Sequence, residues 1–394
     1  MSTTDIWTHH QPIRISNGPL QETLLASLKL ILPTEQIKPQ DSIVLITTAG
    51  FTKRGITAQL AEWLSPLKLL VIDEVTANPD IDTIDSWINH YSKQPIAAVI
   101  GLGGGSAMDA AKAMAVMQSL AKTERSPLNK LFREKSIKQP NSRLPLLLIP
   151  TTAGTGSEVT PFATIWDNRH KQKHSLTSDS VYPDIALLDA SLTLSLPIDE
   201  TLYSGLDALS HSLESLWNKH STPISEAYAK QAIALLATHF TTVLITPSNF
   251  AARQGMQMAS LLAGLAISTT KTAIAHAISY PLTSHYALPH GLACSFTLPA
   301  LLEMVQSSTE LSHLSSTLRQ AQSLLQQLPL NEALQAKINF SQIYSHTNEM
   351  FHPDRAGNFI MPFATSDLLK LLQHSEVLLK TALVSAELSA LLPQ

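Results

Sequence analysis

The sequence predicts two domains: an N-terminal doubly wound α/β domain over residues 1–190 and an all-α domain over residues 191–394. Three observations carry this expectation. Short apolar runs alternate with amphipathic stretches in the first half, strand signals fade after about Asp189, and Ala/Leu/Ser segments with apolar residues at helical spacing follow. A chain of 394 residues has room for two or three domains, at roughly 150 residues each.

The runs Ile43–Thr47, Leu67–Ile72, Ile96–Ile100, Leu144–Ile149 and Ile185–Leu188 are rich in Val, Ile and Leu without polar alternation. That is the pattern of parallel strands buried on both faces. Between them, Gly55–Leu64 and Ile81–Tyr91 read as crossover helices. Phe162–Trp166 and Lys171–Thr177 flank the polar stretch Asp167–His170 and predict a hairpin. Asn129–Lys138 holds four basic residues and one acidic residue, and reads as a solvated loop or helix face rather than a nucleic-acid site. In the second half Ser225–Phe240, Ala251–Ile267, Leu311–Leu328 and Ser366–Leu392 predict helices, and Leu206, Leu209, Leu213 and Leu216 mark one apolar stripe. The gap between the two halves is the expected place for a ligand.

Composition narrows the function classes. Hydrophobic residues at 44% with 15% charged exclude a disordered chain. A net charge of −4 from 27 basic and 31 acidic residues offers no global field for DNA or anionic lipid, so neither nucleic acid nor membrane is an expected partner. The single cysteine, Cys294, has no partner for an internal disulfide, which points to a reducing, cytoplasmic setting. The start, MSTTDIWTHHQPIR, lacks the apolar run of a signal peptide. Ile96–Met117 is long enough to span a bilayer, but it carries Gly103, Gly104, Gly105, Asp109 and Lys112 and reads as strand–turn–helix.

The turn Gly103-Gly104-Gly105-Ser106 follows the third strand and opens a helix from about Ala107 to Gln118. Glycines let the backbone approach a ligand, and the free N–H groups at a helix start favour a pyrophosphate. The turn is not a GxGxxG fingerprint, so a purely structural strand-to-helix turn stands beside the binding reading. Asp109 is placed to cap this helix or to hold a neighbouring loop. The second loop, Pro150–Glu158, offers four hydroxyls and two glycines where the fourth strand ends, the end at which open α/β sheets bind ligands.

In the helical half, Asp207 and His211 stand four apart, about 40° around a helix and about 6 Å along it, hence on one face. Such a pair alone is more often a surface hydrogen bond. His276, in an almost wholly apolar stretch, and His290, between Pro289 and Gly291, change the balance. One carboxylate and three imidazoles suit Fe²⁺ or Zn²⁺ with a position left for substrate, and the spacing does not choose between the two metals.

These motifs together resemble the iron-containing (group III) alcohol dehydrogenases along essentially the whole chain. The matching runs are GGGSAMDAAKA (Gly103–Ala113), PTTAGTGSE (Pro150–Glu158), GLDALSHSLES (Gly205–Ser215) and HAISYPLTSHYALPHG (His276–Gly291). The resemblance implies NAD or NADP, one divalent metal held by Asp207, His211, His276 and His290, and a dimer or larger homo-oligomer. It also implies cofactor contacts from Gly103, Gly104, Gly105, Ser106, Thr151, Thr152 and Lys173, with Asn78 beside them; Thr48, Asp109 and Thr155 complete the candidate set.

Two departures inform. After the first strand, Ile46–Arg54 holds no acid where many NAD-preferring relatives have Asp, while Lys53 and Arg54 stand ready for a 2′-phosphate. Where many relatives carry a further His one turn after His276, this chain has Tyr280, which becomes the candidate proton donor, with water as the alternative. Ala275–Thr283 and Trp217–Ser225 look most like the phosphonoacetaldehyde reductase branch, with Lys271, Arg253 and Arg355 as candidate cations for an anionic substrate. The expected reaction is metal-assisted hydride transfer between NAD(P)H and a small aldehyde or alcohol. General short-chain alcohol, lactaldehyde or 1,3-propanediol dehydrogenases, a dehydroquinate synthase-like lyase and a metal-dependent hydrolase are the alternatives.

Overall fold

The computed structural model describes residues 10–32, 38, 40–351 and 353–381. Residues 1–9 of the N-terminal stretch and the end of the Ser366–Leu392 segment lie outside them. The chain packs into two units.

The α/β unit comprises residues 11–152 and 157–192. Its strands are β1 (Arg14–Asn17), β2 (Ser42–Ile46), β3 (Lys68–Ile72), β4 (Ile96–Gly103), β5 (Leu146–Pro150), β6 (Phe162–Asp167), β7 (Gln172–Thr177) and β8 (Ile185–Leu188). Six of them form one sheet in the order β1-β8-β5-β4-β2-β3, parallel at every pairing. The helices are α1 (Leu20–Ile31), α2 (Ala49–Lys53), α3 (Ile56–Trp63), α4 (Ile81–His90), α5 (Gly105–Met117) and α6 (Pro127–Phe132).

Strands β2, β5 and β8 are buried along their whole length. Parallel strands need crossover connections, whose helices cover both faces of the sheet, and a continuous Val/Ile/Leu run serves both. β6 and β7 pair antiparallel from Phe162↔Thr177 to Asp167↔Gln172, as the hairpin pattern predicts. The strand β1 has no counterpart in the sequence reading. Its residues, RISN, are mostly polar, it occupies a sheet edge, and among the described residues only β8 pairs with it. The register Gly103↔Pro150 sets the ends of β4 and β5 side by side, so the glycine turn and the hydroxyl-rich loop leave adjacent strands.

The helical unit comprises residues 153–156 and 193–381. It contains α7 (Ile198–Leu216), α8 (Pro223–Ile245), α9 (Phe250–Thr270), α10 (Ile274–Tyr286), α11 (His290–Ser295), α12 (Leu298–Gln306), α13 (Ser315–Gln327), α14 (Leu330–Gln335), α15 (Phe340–Tyr344), α16 (Pro353–Ala356) and α17 (Thr365–Thr381). Leu206, Leu209, Leu213 and Leu216 face its core with at most 1% exposure. Thr222 caps α8 through a capping box with Ser225, the N-terminal signal carried by the TPIS run.

The division between the units falls at 192/193, and residues 153–156 pack with the helices rather than with the sheet. Their glycines explain it. A Cβ on Gly154 would lie 2.6 Å from Ser204 O, and one on Gly156, at φ +59°, would lie 2.4 Å from Gly264 Cα. These two glycines serve close packing on α7 and α9. Among the described residues no single helix is long and apolar enough to cross a membrane.

Candidate functional site

Four helix positions bring the predicted metal ligands together. Asp207 and His211 sit one turn apart on α7, His276 lies in the first turn of α10, and His290 opens α11. Gly291 lets α11 lie directly on α7: a Cβ there would come within 1.8 Å of Tyr203 O and 3.1 Å of Asp207 N. The result is a convergence on one oxygen. Nε2 of His211, His276 and His290 stand 3.5, 3.6 and 3.8 Å from Asp207 Oδ1. Ligands held about 2.1 Å from a tetrahedral ion stand roughly 3.4 Å apart.

The remaining bonds of these side chains orient them. His211 Nδ1 lies 3.3 Å from Gly154 O, a pure acceptor, which puts the proton on Nδ1 and the lone pair on Nε2. His276 Nδ1 donates to the buried Glu214 carboxylate, whose other oxygen accepts from Ala275 N at 2.7 Å and His276 N at 3.3 Å. This carboxylate–imidazole arrangement fixes tautomer and ring direction in metal sites. The His211 and His276 rings stack at 4.8 Å between centroids. Burial by itself would raise the Asp207 carboxyl, but the His211, His290 and His276 rings outweigh it and hold the group well below the usual carboxylate range. Burial pushes the His211 imidazole down, towards the neutral form that ligates. Asp207 Oδ1 and His276 Nε2 are nevertheless buried with no hydrogen-bond partner among the described residues. A cluster whose central atoms are left unsatisfied, and whose donors are one carboxylate and three imidazoles, fits a bound divalent cation. Only the His290 side chain is appreciably exposed, at 38%.

In the α/β unit, Gly103 takes φ +155°, and a Cβ there would meet Ala107 Cβ at 2.7 Å. Among the described residues no side chain caps the start of α5, where a helix's first N–H groups can serve a ligand. Thr151 N donates to Gly103 O at 3.0 Å, and Thr152 packs within 3.3 Å of where a Cβ on Gly104 would sit. Gly103, Gly104, Gly105, Ser106, Thr151 and Thr152 therefore form one patch.

The Fe-ADH model, described as iron-containing alcohol dehydrogenase, matches residues 29–190, and that of the Fe-containing alcohol dehydrogenase family, C-terminal, matches residues 201–342. The chain belongs to the iron-containing alcohol dehydrogenase family. It is 35% identical to a sulfoacetaldehyde reductase of Bilophila wadsworthia over 65% of each chain. It is 33% identical to a phosphonoacetaldehyde reductase of Streptomyces viridochromogenes over 66% of each. The matched region thus spans just under two thirds of these curated relatives. The fold superposes with a TM-score of 0.80 on sulfoacetaldehyde reductase from Bifidobacterium kashiwanohense, solved in complex with NAD+, at 24% identity, covering 96% of this chain and 100% of that one.

Within this member of the iron-containing alcohol dehydrogenase family, the partners of several candidates are visible. Asp109, a candidate both for the cofactor and for holding a neighbouring loop, accepts from Ser157 Oγ at 2.6 Å and Thr164 N at 2.8 Å, so its carboxylate braces the second loop against α5. Arg253, a candidate for substrate charge, is buried and donates to Pro247 O, Thr201 Oγ1 and Leu196 O as a strap within the helical unit. Thr48 begins α2 and bridges to Glu74. Asn78 adopts φ +60°. Lys173 faces Trp166 across the hairpin, its ammonium 5.9 Å from the ring centre. Thr155 lies in the loop that packs with the helices, and Tyr280 stands one turn after His276 on α10, just before Pro281.

Three neighbours of the sites escaped the sequence reading. Glu214 lies seven residues after Asp207, two helical turns along the same face, and that spacing was the available signal. Cys294 shares the metal cluster, with an atom within 4.8 Å of those of Asp207, His276 and His290. Lys112, three residues after Asp109, is fully buried and donates to Thr160 O and Phe162 O.

Proposed function

We propose that this protein is a metal-dependent aldehyde reductase and alcohol dehydrogenase that transfers a hydride reversibly between NAD(P)H and a small aldehyde. The observation carrying the reading is the approach of three imidazole nitrogens to one unsatisfied carboxylate oxygen, Asp207 Oδ1. Asp207, His211, His276 and His290 would hold the ion. A divalent cation bound there, Fe²⁺ or Zn²⁺, supplies Lewis-acid polarisation of the substrate oxygen and stabilises negative charge developing on it. NAD(P)H supplies the hydride.

The chain's own residues then position and protonate. The uncapped start of α5, with Gly103, Gly104, Gly105, Ser106, Thr151 and Thr152, would bind the pyrophosphate, and Thr48, Asn78, Thr155 and Lys173 are proposed as further cofactor contacts. Asp109 would support them indirectly, through Ser157 and Thr164. Glu214 holds the His276 ring so that Nε2 stays available. Tyr280 is the proposed donor of the proton that converts the reduced carbonyl oxygen to a hydroxyl; water is the alternative. The substrate class we favour is a two-carbon aldehyde with an acidic head, because relatives named sulfoacetaldehyde reductase and phosphonoacetaldehyde reductase stand among the matches. A soluble cytoplasmic homo-oligomer completes the proposal.

On the cofactor, Lys53 is exposed at the end of α2, and Arg54 lies 4.4 Å from the Phe51 ring centre. Glu74 at the neighbouring strand end is engaged with Trp87 Nε1 at 2.5 Å. NADPH is therefore expected to serve at least as well as NADH. The test is oxidation of both cofactors by phosphonoacetaldehyde, lactaldehyde, butanal and glycolaldehyde, with protein loaded with Fe²⁺ or Zn²⁺. Net NADPH consumption with at least one aldehyde supports the reading and separates it from a lyase. A kcat/KM markedly better with NADH refutes the cofactor assignment, and failure to bind any dinucleotide favours the hydrolase.

A further inference from the structure

Lys271 lies in the short turn between α9 and α10, at φ +62° and ψ 179°. That part of backbone space is essentially reserved for glycine, and a side chain there strains the chain. The turn bends the chain by 106° between these helices, and glycine would take this conformation without steric cost. Here the strain is held from several sides. Lys271 N–H donates to Ile267 O at 2.8 Å, and its carbonyl accepts from Thr270 Oγ1 at 2.9 Å and Asn218 Nδ2 at 3.2 Å. Thr272 O accepts from Asn358 Nδ2 at 2.9 Å. The side chain, in contrast, is exposed, and no hydrogen bond or ion pair to its ammonium occurs among the described residues.

The turn leads directly into the metal cluster. His276 follows five residues later, in the first turn of α10, so the two Cα atoms are tethered within about 16 Å. Three other cations of the helical unit, Arg253, Lys219 and Arg355, fit less well. Arg253 is consumed as a strap, Lys219 donates to Gly357 O, and Arg355 has no backbone constraint of this kind. Asn218, which holds the Lys271 carbonyl, belongs to the Trp217–Ser225 segment, and Lys271 stands four residues before Ala275–Thr283. The hydrogen bond therefore ties the first of these segments to the turn that precedes the second.

We propose that Lys271 selects aldehydes carrying a tetrahedral oxoanion, phosphonate or sulfonate, on the carbon next to the carbonyl, by pairing its ammonium with that head. The inference rests on the aldehyde-reductase reading above. A compact charge on a flexible stem matches three equivalent oxygens without demanding one orientation.

The test is Lys271→Gly, which suits the backbone and removes the charge; an equal or higher melting temperature shows that the variant is folded. Relative to wild type, the ratio of kcat/KM for phosphonoacetaldehyde or sulfoacetaldehyde over that for propanal should fall 10–100-fold, the range of one charge-assisted contact. Lys271→Arg should keep most of that ratio. A loss on one oxoanion alone identifies the head; a loss on both identifies charge as the feature read. Calorimetry with ethylphosphonate gives a readout independent of turnover, and its Kd should weaken by the same factor. A ratio within twofold of wild type, or a wild type that reduces propanal but neither oxoanion aldehyde, overturns the Lys271 assignment and leaves the reductase reading intact. If no aldehyde is reduced at all, that reading fails, and undiminished ethylphosphonate binding in Lys271→Gly still refutes the role of Lys271.

Discussion

Replacing His276 by alanine should strip the protein of its metal and lower kcat by at least ~100-fold, while leaving the fold in place. The site makes this the most consequential single side chain. His276 Nε2 has no hydrogen-bond partner among the described residues, lies 3.6 Å from Asp207 Oδ1, and is aimed by a carboxylate on its other nitrogen. In the alanine variant, Glu214 would keep the backbone N–H groups of residues 275 and 276, so its buried charge would not be stranded. The start of α10 should therefore persist. Metal content by plasma mass spectrometry, read beside circular dichroism, separates loss of the ion from loss of structure. Stoichiometric metal with full turnover in this variant contradicts the ligand set.

Gly291→Ala should destabilise the protein more than any ordinary surface change, by 1–3 kcal/mol or more, the range typical of overpacking. Two backbones meet at this point. An added Cβ would fall 1.8 Å from Tyr203 O and 2.8 Å from Tyr203 C, atoms of a helix that has no rotamer to change. α11 would have to lift from α7, carrying His290 away from Asp207. Both the melting temperature and the affinity for the metal should fall, at an unaltered ligand set. By comparison, a Cβ on Gly55 would meet nothing within 4 Å, although its φ of +80° still disfavours a side chain. A Gly291→Ala protein with wild-type melting temperature and metal affinity would show that the α7–α11 contact is looser than described.

Much of this was legible in the sequence, for physical reasons. Buried parallel strands must be apolar on both faces, so β2, β4, β5 and β8 are visible as runs of Val, Ile and Leu. β1 was not visible, because an edge strand needs only one partner and tolerates Arg and Asn. The ligand candidates stood out because imidazoles in apolar helices require partners. What escaped were groups whose meaning depends on long-range pairing. Glu214 meets His276 across 62 residues, and its only local trace is its place two turns after Asp207 on the same helix face. The glycines of the second loop read as ligand-facing by analogy with the first, but they answer to α7 and α9. Arg253 looked like a free cation because the acceptors that bind it are largely backbone carbonyls, which sequence does not display.

X-ray absorption at the edge of the bound metal, in purified wild-type protein and in Asp207→Ala, tests the converging ligands most directly. The expected spectrum shows one ion per chain with a shell of nitrogen and oxygen at about 2.0–2.2 Å, three of the neighbours imidazoles, lost in the variant. A sulfur shell near 2.3 Å, which would implicate Cys294, or a spectrum unchanged by removal of Asp207, would contradict it.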